Sequence, residues 1–426
     1  MKICIKDCNL ISMDLKREKV EQNIDILIDG NKISKIAKNI DTKIADKVIN
    51  ANGKVVMPGL INTHSHVPMS IFRETLDGYN LQDWLSKKIW PMEDKLTKQD
   101  IYYASYLSFI EMIKTGTTTI NDMYSFTEEI IKAMKETGIR LQTTRTLMSL
   151  NYPEERLVEL QELIDEYGEK YDTLTLNTGI QGLYTSNEPY VEKGIELAKK
   201  NNLPIHIHFC ENTTEVNDIE KAYGRKPVKV LKEKFNDTKV ILAHCVKLSE
   251  EDIDEIKDMD ISVAHCPISN LKLGCGVAKI KYMLDKGINV GLGTDGQGSG
   301  SNLDLFETMK YAALLQKGIT ENPECLPAYE VLKMATINGA KALGLEESIG
   351  SIEVGKLADI IIIDINDVKI KPVNDLISEL VYNVKGNNVI TTIVNGKILM
   401  EEGKLANDKQ EQIYEECDKI IKRISE

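Results

Sequence analysis

The residues with the clearest chemical potential in this chain are its six histidines, His64, His66, His206, His208, His244 and His265, which fall in only four short apolar stretches. Thr63-His64-Ser65-His66 sets two imidazoles two residues apart, and on an extended strand such side chains point to the same face. Alone, a His-x-His pair is ordinary. Here it follows the apolar run VVMPGLIN and is joined by HIHF, which carries His206 and His208, and by Asp295 in GLGTDG. Three neutral nitrogens and one carboxylate, from His64, His66, His208 and Asp295, suit one divalent ion, Zn²⁺ or Fe²⁺, with a position left for water. Each residue also has a structural reading. An isolated histidine is commonly a satisfied core or surface group; that reading stands for His265 and for His206, which shares a face with His208 one layer deeper. Asp295 could instead cap a helix, since Thr-Asp-Gly suits such a turn.

These residues are far apart in the chain, so a fold must bring them together. Between residues 57 and 345, strand-like runs alternate with amphipathic helical stretches: LINTHSH, GTTTINDM, IRLQTTRTL, TLTLNTGIQG, LPIHIHFCE, KVILAHCV, ISVAHCP and INVGLGTDG. Eight such βα units predict an α/β fold, a (β/α)8 barrel of the TIM type, in which the C-terminal strand ends converge on one face. Lys2 to Val56 reads differently, as short β runs broken by Asp-Gly and Asn-Gly hairpin signals. The same texture returns in GSIEVGKLADIIIIDIN and NVITTIVNGKILMEEGK. The expected organisation is a small discontinuous β-sandwich from residues 1–56 and 346–405, a barrel over 57–345, and an exposed amphipathic helix over 406–426.

The 426 residues carry a formal charge of −13, which disfavours nucleic acid and anionic lipid as partners and leaves a small molecule. The start, MKICIKDCNLISMDLKREKV, shows no apolar signal core, and no segment offers the roughly 18 apolar residues of a membrane span. A cytoplasmic protein is expected, its eight cysteines reduced and mostly buried, since no C-x-x-C pair occurs. An acidic barrel of this kind is compatible with a homo-oligomer.

Several motifs together resemble the amidohydrolase superfamily and its aromatic-amine deaminase branch: PGLINTHSH, HFCEN, LAHCV, AHCPISNLKLGCG, GLGTDG and SIEVGKLADIIIID, in that order. Within that branch, LQDWLSKKIWPMEDKLT, TGTTTINDMY and DGQGSGSNLDLFETMK are similar to the 5-methylthioadenosine/S-adenosylhomocysteine deaminases. The resemblance spans nearly the whole chain. It implies metal ligation by His64, His66, His208 and Asp295, with Asp295 also moving protons. It further implies that Glu211 protonates a ring nitrogen and that His244 holds the attacking oxygen. Trp84 and Glu93 would line a nucleoside pocket, Glu93 holding ribose hydroxyls. Arg145 and Arg156 would grip a carboxylate on the 5′ substituent, and Ser299 would contact the purine. Binuclear hydrolases of this architecture use a lysine near the end of the fourth strand; Thr173 to Gly182 has none, so one ion is expected. Gln181 stands where the family usually has a purine-contacting histidine, and an amide cannot become cationic.

The reaction implied is hydrolytic deamination of an adenosine-type compound, namely S-adenosylhomocysteine, 5-methylthioadenosine, 5′-deoxyadenosine or adenosine. The alternatives are another aminated heterocycle (guanine, cytosine or pterin type), a cyclic amide or triazine, or a non-catalytic metal-binding protein. Local alternatives also stand: Glu211 as a helix N-terminal acid, Trp84 and Trp90 as packing residues, and the two arginines as ordinary ion-pair partners. Gly296, Gly298 and Gly300 do not match the spacing of a dinucleotide loop.

Overall fold

A computed structural model describes residues 1–75, 77–150 and 152–425. The β-branched runs at the start form β1 (Lys2–Leu10), β2 (Glu21–Asp29), β3 (Lys32–Ala37), β4 (Lys47–Asn50) and β5 (Val55–Pro58). The middle supplies β6 (Leu60–Ser65), β7 (Thr117–Asp122), β8 (Arg140–Thr143), β9 (Leu174–Leu176), β10 (Thr178–Gly182), β11 (Ile205–Phe209), β12 (Val240–His244), β13 (Ile261–His265) and β14 (Asn289–Leu292). β15 (Ile360–Ile363), β16 (Val389–Val394), β17 (Lys397–Glu401) and β18 (Lys404–Leu405) follow near the end.

β6 to β14 make the barrel. Only Asn177 separates β9 from β10, so the two share one strand position and the barrel has eight. Parallel ladders run β6-β7-β8-β9 and β10-β11-β12-β13-β14. Backbone bonds from Leu147 N to Gly179 O (2.7 Å) and from Gln181 N to Leu147 O (2.9 Å) join these two arcs, and Asp295 N to His64 O (3.0 Å) bonds the segment after the last strand to the first strand. Runs such as VILAH and ISVAH are buried on both faces, as parallel strands between an inner core and outer helices must be.

The two chain ends meet in a sheet ordered β18-β17-β16-β15-β5-β1-β2-β3, with β4 on β1. The sandwich expected from sequence is built from this one continuous sheet. β1 changes partner along its length, pairing with β4 over Ile3 to Lys6 and with β5 at Asn9 and Leu10, across a register irregularity that bends a strand. Ile3, Ile5, Ile26, Ile28, Ile360 and Ile362 gather in one apolar cluster. The fully buried IIII of β15, antiparallel to both β5 and β16, ties the late strands to the early ones.

Sheet and barrel are joined by a buried ion pair. Arg140, opening β8, donates from Nε to Asp359 Oδ2 (2.8 Å) and from Nη2 to Oδ1 (3.1 Å), while Asp359 also accepts the Asn395 N–H at 2.7 Å. Removing one partner strands the other charge in a dry environment, so Asp359→Ala is expected to destabilise the fold by about 3–5 kcal/mol. Urea unfolding measures this; a loss below about 1 kcal/mol, the range of an exposed pair, would mean that the site is wet.

The helix Gln410–Ser425 is not free in solvent as its charge suggests. It lays Ile413, Cys417, Ile420 and Ile424 into the core and docks on the helix Lys98–Lys114, where Arg423 pairs with Asp100. Glu426, the last residue of the expected helix, lies outside the described residues. Among the described residues no helix is long and apolar enough to cross a membrane, and all eight cysteines are free and buried.

Candidate active site

Alternation along β6 and β11 turns His64, His66 and His208 towards one point above the strand ends. Their ring centroids lie 4.9 Å apart for His64–His66 and His64–His208, and 5.2 Å for His66–His208. Alternation does not account for the rest. Cys210 (φ 50°), His244 (φ 77°), Cys245 (φ 51°) and Asp295 (φ 62°) all take left-handed backbone, a conformation costing a non-glycine residue about 1–3 kcal/mol. Backbone bonds between neighbouring strand ends hold this strain, from Cys245 N to Phe209 O (2.9 Å), Lys247 N to Cys210 O (2.8 Å) and Asp295 N to His64 O (3.0 Å).

The cluster has the electronic character of a cation site. His66 Nδ1 donates to Met123 O (2.7 Å) and His208 Nδ1 to Gln181 O (2.6 Å). Carbonyl oxygens only accept, so in the neutral rings both Nε2 atoms carry lone pairs. Yet these two Nε2 atoms lie 3.2 Å apart, and burial holds the His208 pKa well below its ordinary value. Facing lone pairs at that separation call for a cation between them. His64 Nε2 is buried without a hydrogen-bond partner among the described residues. Asp295 Oδ1 sits 3.2 Å from His66 Nε2 and 3.6 Å from His64 Nε2. Zinc–nitrogen bonds of about 2.0–2.1 Å place tetrahedral donors roughly 3.3 Å apart, so these separations fit a divalent ion. His244 is a further nitrogen within reach, grouping with His64 and His208.

The supporting contacts fix each group. Asp295 Oδ2 accepts the hydroxyls of Ser269 (2.5 Å) and Ser299 (2.8 Å), and Oδ1 accepts the Gly296 N–H (2.8 Å). Burial alone would raise the Asp295 pKa, but His64 and His66 hold it well below the usual carboxylate range. Ser299, for which the resemblance implies a purine contact, here donates to Asp295. His206 lies one layer below, its Nε2 2.8 Å from His64 Nδ1 and its Nδ1 3.2 Å from the Asn121 amide nitrogen. His265 is buried with both ring nitrogens unpartnered among the described residues.

Beside the cluster stands a buried carboxyl. Burial, with the charge of Asp295 adding to it, pushes the Glu211 carboxyl up to about 8. His244 donates from Nδ1 to Asn270 Oδ1 (2.9 Å), and its Nε2 lies 3.9 Å from Glu211 Oε2. Cys275 Sγ lies 3.9 Å from Glu211 Oε1 and opens onto a cleft of about 480 Å³ lined by Asn80, Gln82, Asp83, Asn212 and Lys247. A carboxyl with a raised pKa, an imidazole and a cation site within a few ångströms can hydrolyse a polar bond while protonating the substrate.

Residues 55–399 match the amidohydrolase family. The chain belongs to the amidohydrolase family. Among amidohydrolase relatives, the 5-methylthioadenosine/S-adenosylhomocysteine deaminase of Caldanaerobacter subterraneus subsp. tengcongensis is 42% identical, the match covering 98% of each chain. The 5′-deoxyadenosine deaminase of Methanobrevibacter smithii is 40% identical over 100% of this chain and 98% of its own. A crystal structure of an adenosine deaminase from Xanthomonas campestris with bound zinc superposes with a TM-score of 0.95 at 27% identity, covering 99% of this chain and 98% of that one.

The remaining sequence-derived residues radiate from the centre of this amidohydrolase. Met123, whose carbonyl holds His66, is followed by Tyr124, whose hydroxyl donates to Glu93. Tyr124 bridges to Arg145, which pairs with Glu159 and donates to Ser125 Oγ at 2.8 Å. Arg156 donates to Thr146 O (3.1 Å) and is lowered to about 10 by burial and then by Arg145, so the two cations are close. Trp84 is buried, with Nε1 3.3 Å from Thr75 Oγ1, on the Gly298 turn that follows Asp295. Trp90 is 45% exposed and belongs to no part of the centre. Gln181 contributes its backbone carbonyl to His208, while its side chain lies against the Tyr184 hydroxyl.

Sequence reading overlooked Ser269 and Asn270, which orient Asp295 and His244, as well as Tyr124 and Glu215. The first two lie in AHCPISN, directly after a strand carrying a histidine, where a barrel presents loop residues to its active face.

Proposed function

We propose that this amidohydrolase hydrolytically deaminates an adenosine-type nucleoside with a 5′ substituent, giving the inosine analogue and ammonia. The observation that carries this reading is Glu211, a buried carboxyl shifted to about 8 and so protonated at neutrality beside His244 and the histidine cluster. Hydrolysis of a simple ester needs no such acid; addition of water to a ring carbon beside a heterocycle nitrogen does, and among such rings the named relatives favour the aminated purine over a halogenated triazine. The relatives named as deaminases of methylthioadenosine, S-adenosylhomocysteine and 5′-deoxyadenosine, at 40–42% identity over almost the full chain, support the same substrate class.

In this reading His64, His66, His208 and Asp295 hold one divalent ion. The zinc in the Xanthomonas adenosine deaminase structure supports Zn²⁺, and Fe²⁺ accepts the same donors. When bound, such an ion lowers the pKa of water towards about 7. Asp295 takes the proton from the attacking water, and His244 holds its oxygen. Glu211 gives its proton to ring N1 as the oxygen adds to C6, so negative charge does not build on the ring. The C6–N bond then breaks, Asp295 returns its proton to the departing nitrogen, the C6 hydroxyl gives up its remaining proton to restore the Glu211 acid as the carbonyl forms, and ammonia leaves.

Trp84 packs against the nucleoside and Glu93 accepts the ribose hydroxyls. Gln181, with Tyr184 behind it, reads the base by hydrogen bonds alone. Arg145 and Arg156 receive a carboxylate on the 5′ substituent; two neighbouring cations, one weakened by the other, gain from an anion between them. Arg145→Met is therefore expected to raise KM for S-adenosylhomocysteine far more than for methylthioadenosine, which lacks the carboxylate. Equal changes in steady-state kinetics would assign Arg145 to packing. The free, buried thiols support a cytoplasmic workplace.

Ammonia release from S-adenosylhomocysteine, methylthioadenosine, 5′-deoxyadenosine and adenosine, with guanine and cytosine as controls, tests the reading. Turnover of a control with every adenosine compound inert would overturn it.

A further inference from the structure

Glu211 has no short contact of its own. Its Oε1 accepts a long, weak hydrogen bond from the Cys275 thiol at 3.9 Å, and its Oε2 lies 3.9 Å from His244 Nε2. A thiol is a weak donor, so much of the direction of Glu211 falls to its backbone, and that backbone is held from one side by a second carboxylate. Glu215, only 1% exposed, lies in the first turn of the helix Thr213–Tyr223. Its Oε1 accepts the Cys210 N–H at 2.9 Å and its Oε2 the Glu211 N–H at 2.7 Å.

The arrangement is unlike a simple helix cap. The cap is already made by Asn212, whose Oδ1 accepts the Glu215 N–H at 2.9 Å. Glu215 reaches past it to two successive amides outside the helix, one of them on the left-handed Cys210 at φ 50°. From the other side, β12 and the turn after it hold Phe209 O and Cys210 O through the Cys245 and Lys247 amides. The strained hairpin between strand and helix is thus pinned through donors by Glu215 and through acceptors by the β12 end. An aspartate would fall a methylene short, and a glutamine would offer one acceptor where two donors wait.

We propose that Glu215 is a positioning residue for the reaction, clamping the Cys210 and Glu211 amides so that the Glu211 carboxyl is aimed at the ring nitrogen of the substrate. This rests on the reading of Glu211 as the proton donor. Glu215 itself touches neither the ion nor the substrate. Its loss should leave both bound while the acid is misaimed, and misplacement of a reacting group by about 1 Å costs on the order of 10²-fold.

The test is a double-mutant cycle on the metal-loaded full chain with Glu215→Gln, Glu211→Gln and the pair, supplemented by Glu215→Asp, which keeps the charge and shortens the reach. Glu215→Gln and Glu215→Asp should each lose about 10²-fold in kcat, with metal content unchanged and KM altered less than about threefold. Glu215→Gln should add nothing in a Glu211→Gln background, because it acts only through that residue. Full additivity in the pair, or a loss that appears in KM or metal content instead of kcat, overturns the proposal, since a merely structural glutamate would produce either. If Glu215→Gln does not fold, the kcat-against-KM split of Glu215→Asp decides alone. Undiminished activity of Glu211→Gln would sink the underlying reading; a crippled Glu211→Gln beside an unaffected Glu215→Gln would sink only the clamp.

Discussion

Replacing His208 by alanine is expected to empty the centre of its ion and abolish turnover. His208 stands opposite His66, its Nε2 3.2 Å from that of His66 and its Nδ1 fixed on Gln181 O, so it has one available lone pair and one direction in which to offer it. Removing even an outer hydrogen-bond partner of a metal ligand costs about 10–100-fold in affinity; removing the ligand costs more. Protein purified without chelators should carry close to one equivalent of divalent metal, and His208→Ala close to none. Two equivalents in the unaltered chain would contradict the single ion expected from the lysine-free fourth strand. The same centre should couple to folding: with free ion at 100 times its Kd, the unaltered protein gains about 2.7 kcal/mol against unfolding. His208→Ala should gain nothing under those conditions, which a thermal scan with and without added zinc measures.

Glu211→Gln should retain that ion and lose about 10²- to 10⁴-fold in kcat, the usual worth of a positioned proton donor. The groups facing Glu211 include Asp295, His66, His244, Cys275, Tyr184 and Cys266, with Glu215 across the turn. Burial and the Asp295 charge raise its pKa from 4.5 to about 8, and the acid form is the working one. Activity should accordingly hold through neutrality and fall, with a slope of −1 in log kcat, as pH rises through that value. A bound cation draws the carboxylate form down, so the limb lies at or below about 8. A flat profile to high pH, or a glutamine variant with undiminished kcat, would remove Glu211 from the proton path.

His64, His66 and His208 were legible as a set because strand alternation is local: two residues along a strand is one face, whatever packs around it. The eight-fold βα rhythm was legible for the same reason, each unit declaring itself through its own apolar run. The left-handed turns at His244 and Asp295 were not, since they exist only because neighbouring strand ends hydrogen-bond to them. Ser299 follows from this: its glycine-rich stretch does not record that the turn at Asp295 brings its hydroxyl onto a carboxylate oxygen. The C-terminal helix read as exposed because its partner, Lys98–Lys114, is some three hundred residues distant.

By itself the sequence determined which histidines share a strand face, the barrel that carries them and the absence of a fourth-strand lysine, because residue type, two-residue spacing and strand rhythm are properties of short segments. Only the tertiary structure decided how those groups are aimed. The Nδ1 protons of His66 and His208 are assigned by carbonyls from other strands, Asp295 is held by hydroxyls from two loops, and Glu211 is held in place by the amides that Glu215 grips. Hydrogen bonds act over about 3 Å, and no local pattern records which distant donor will stand at that distance.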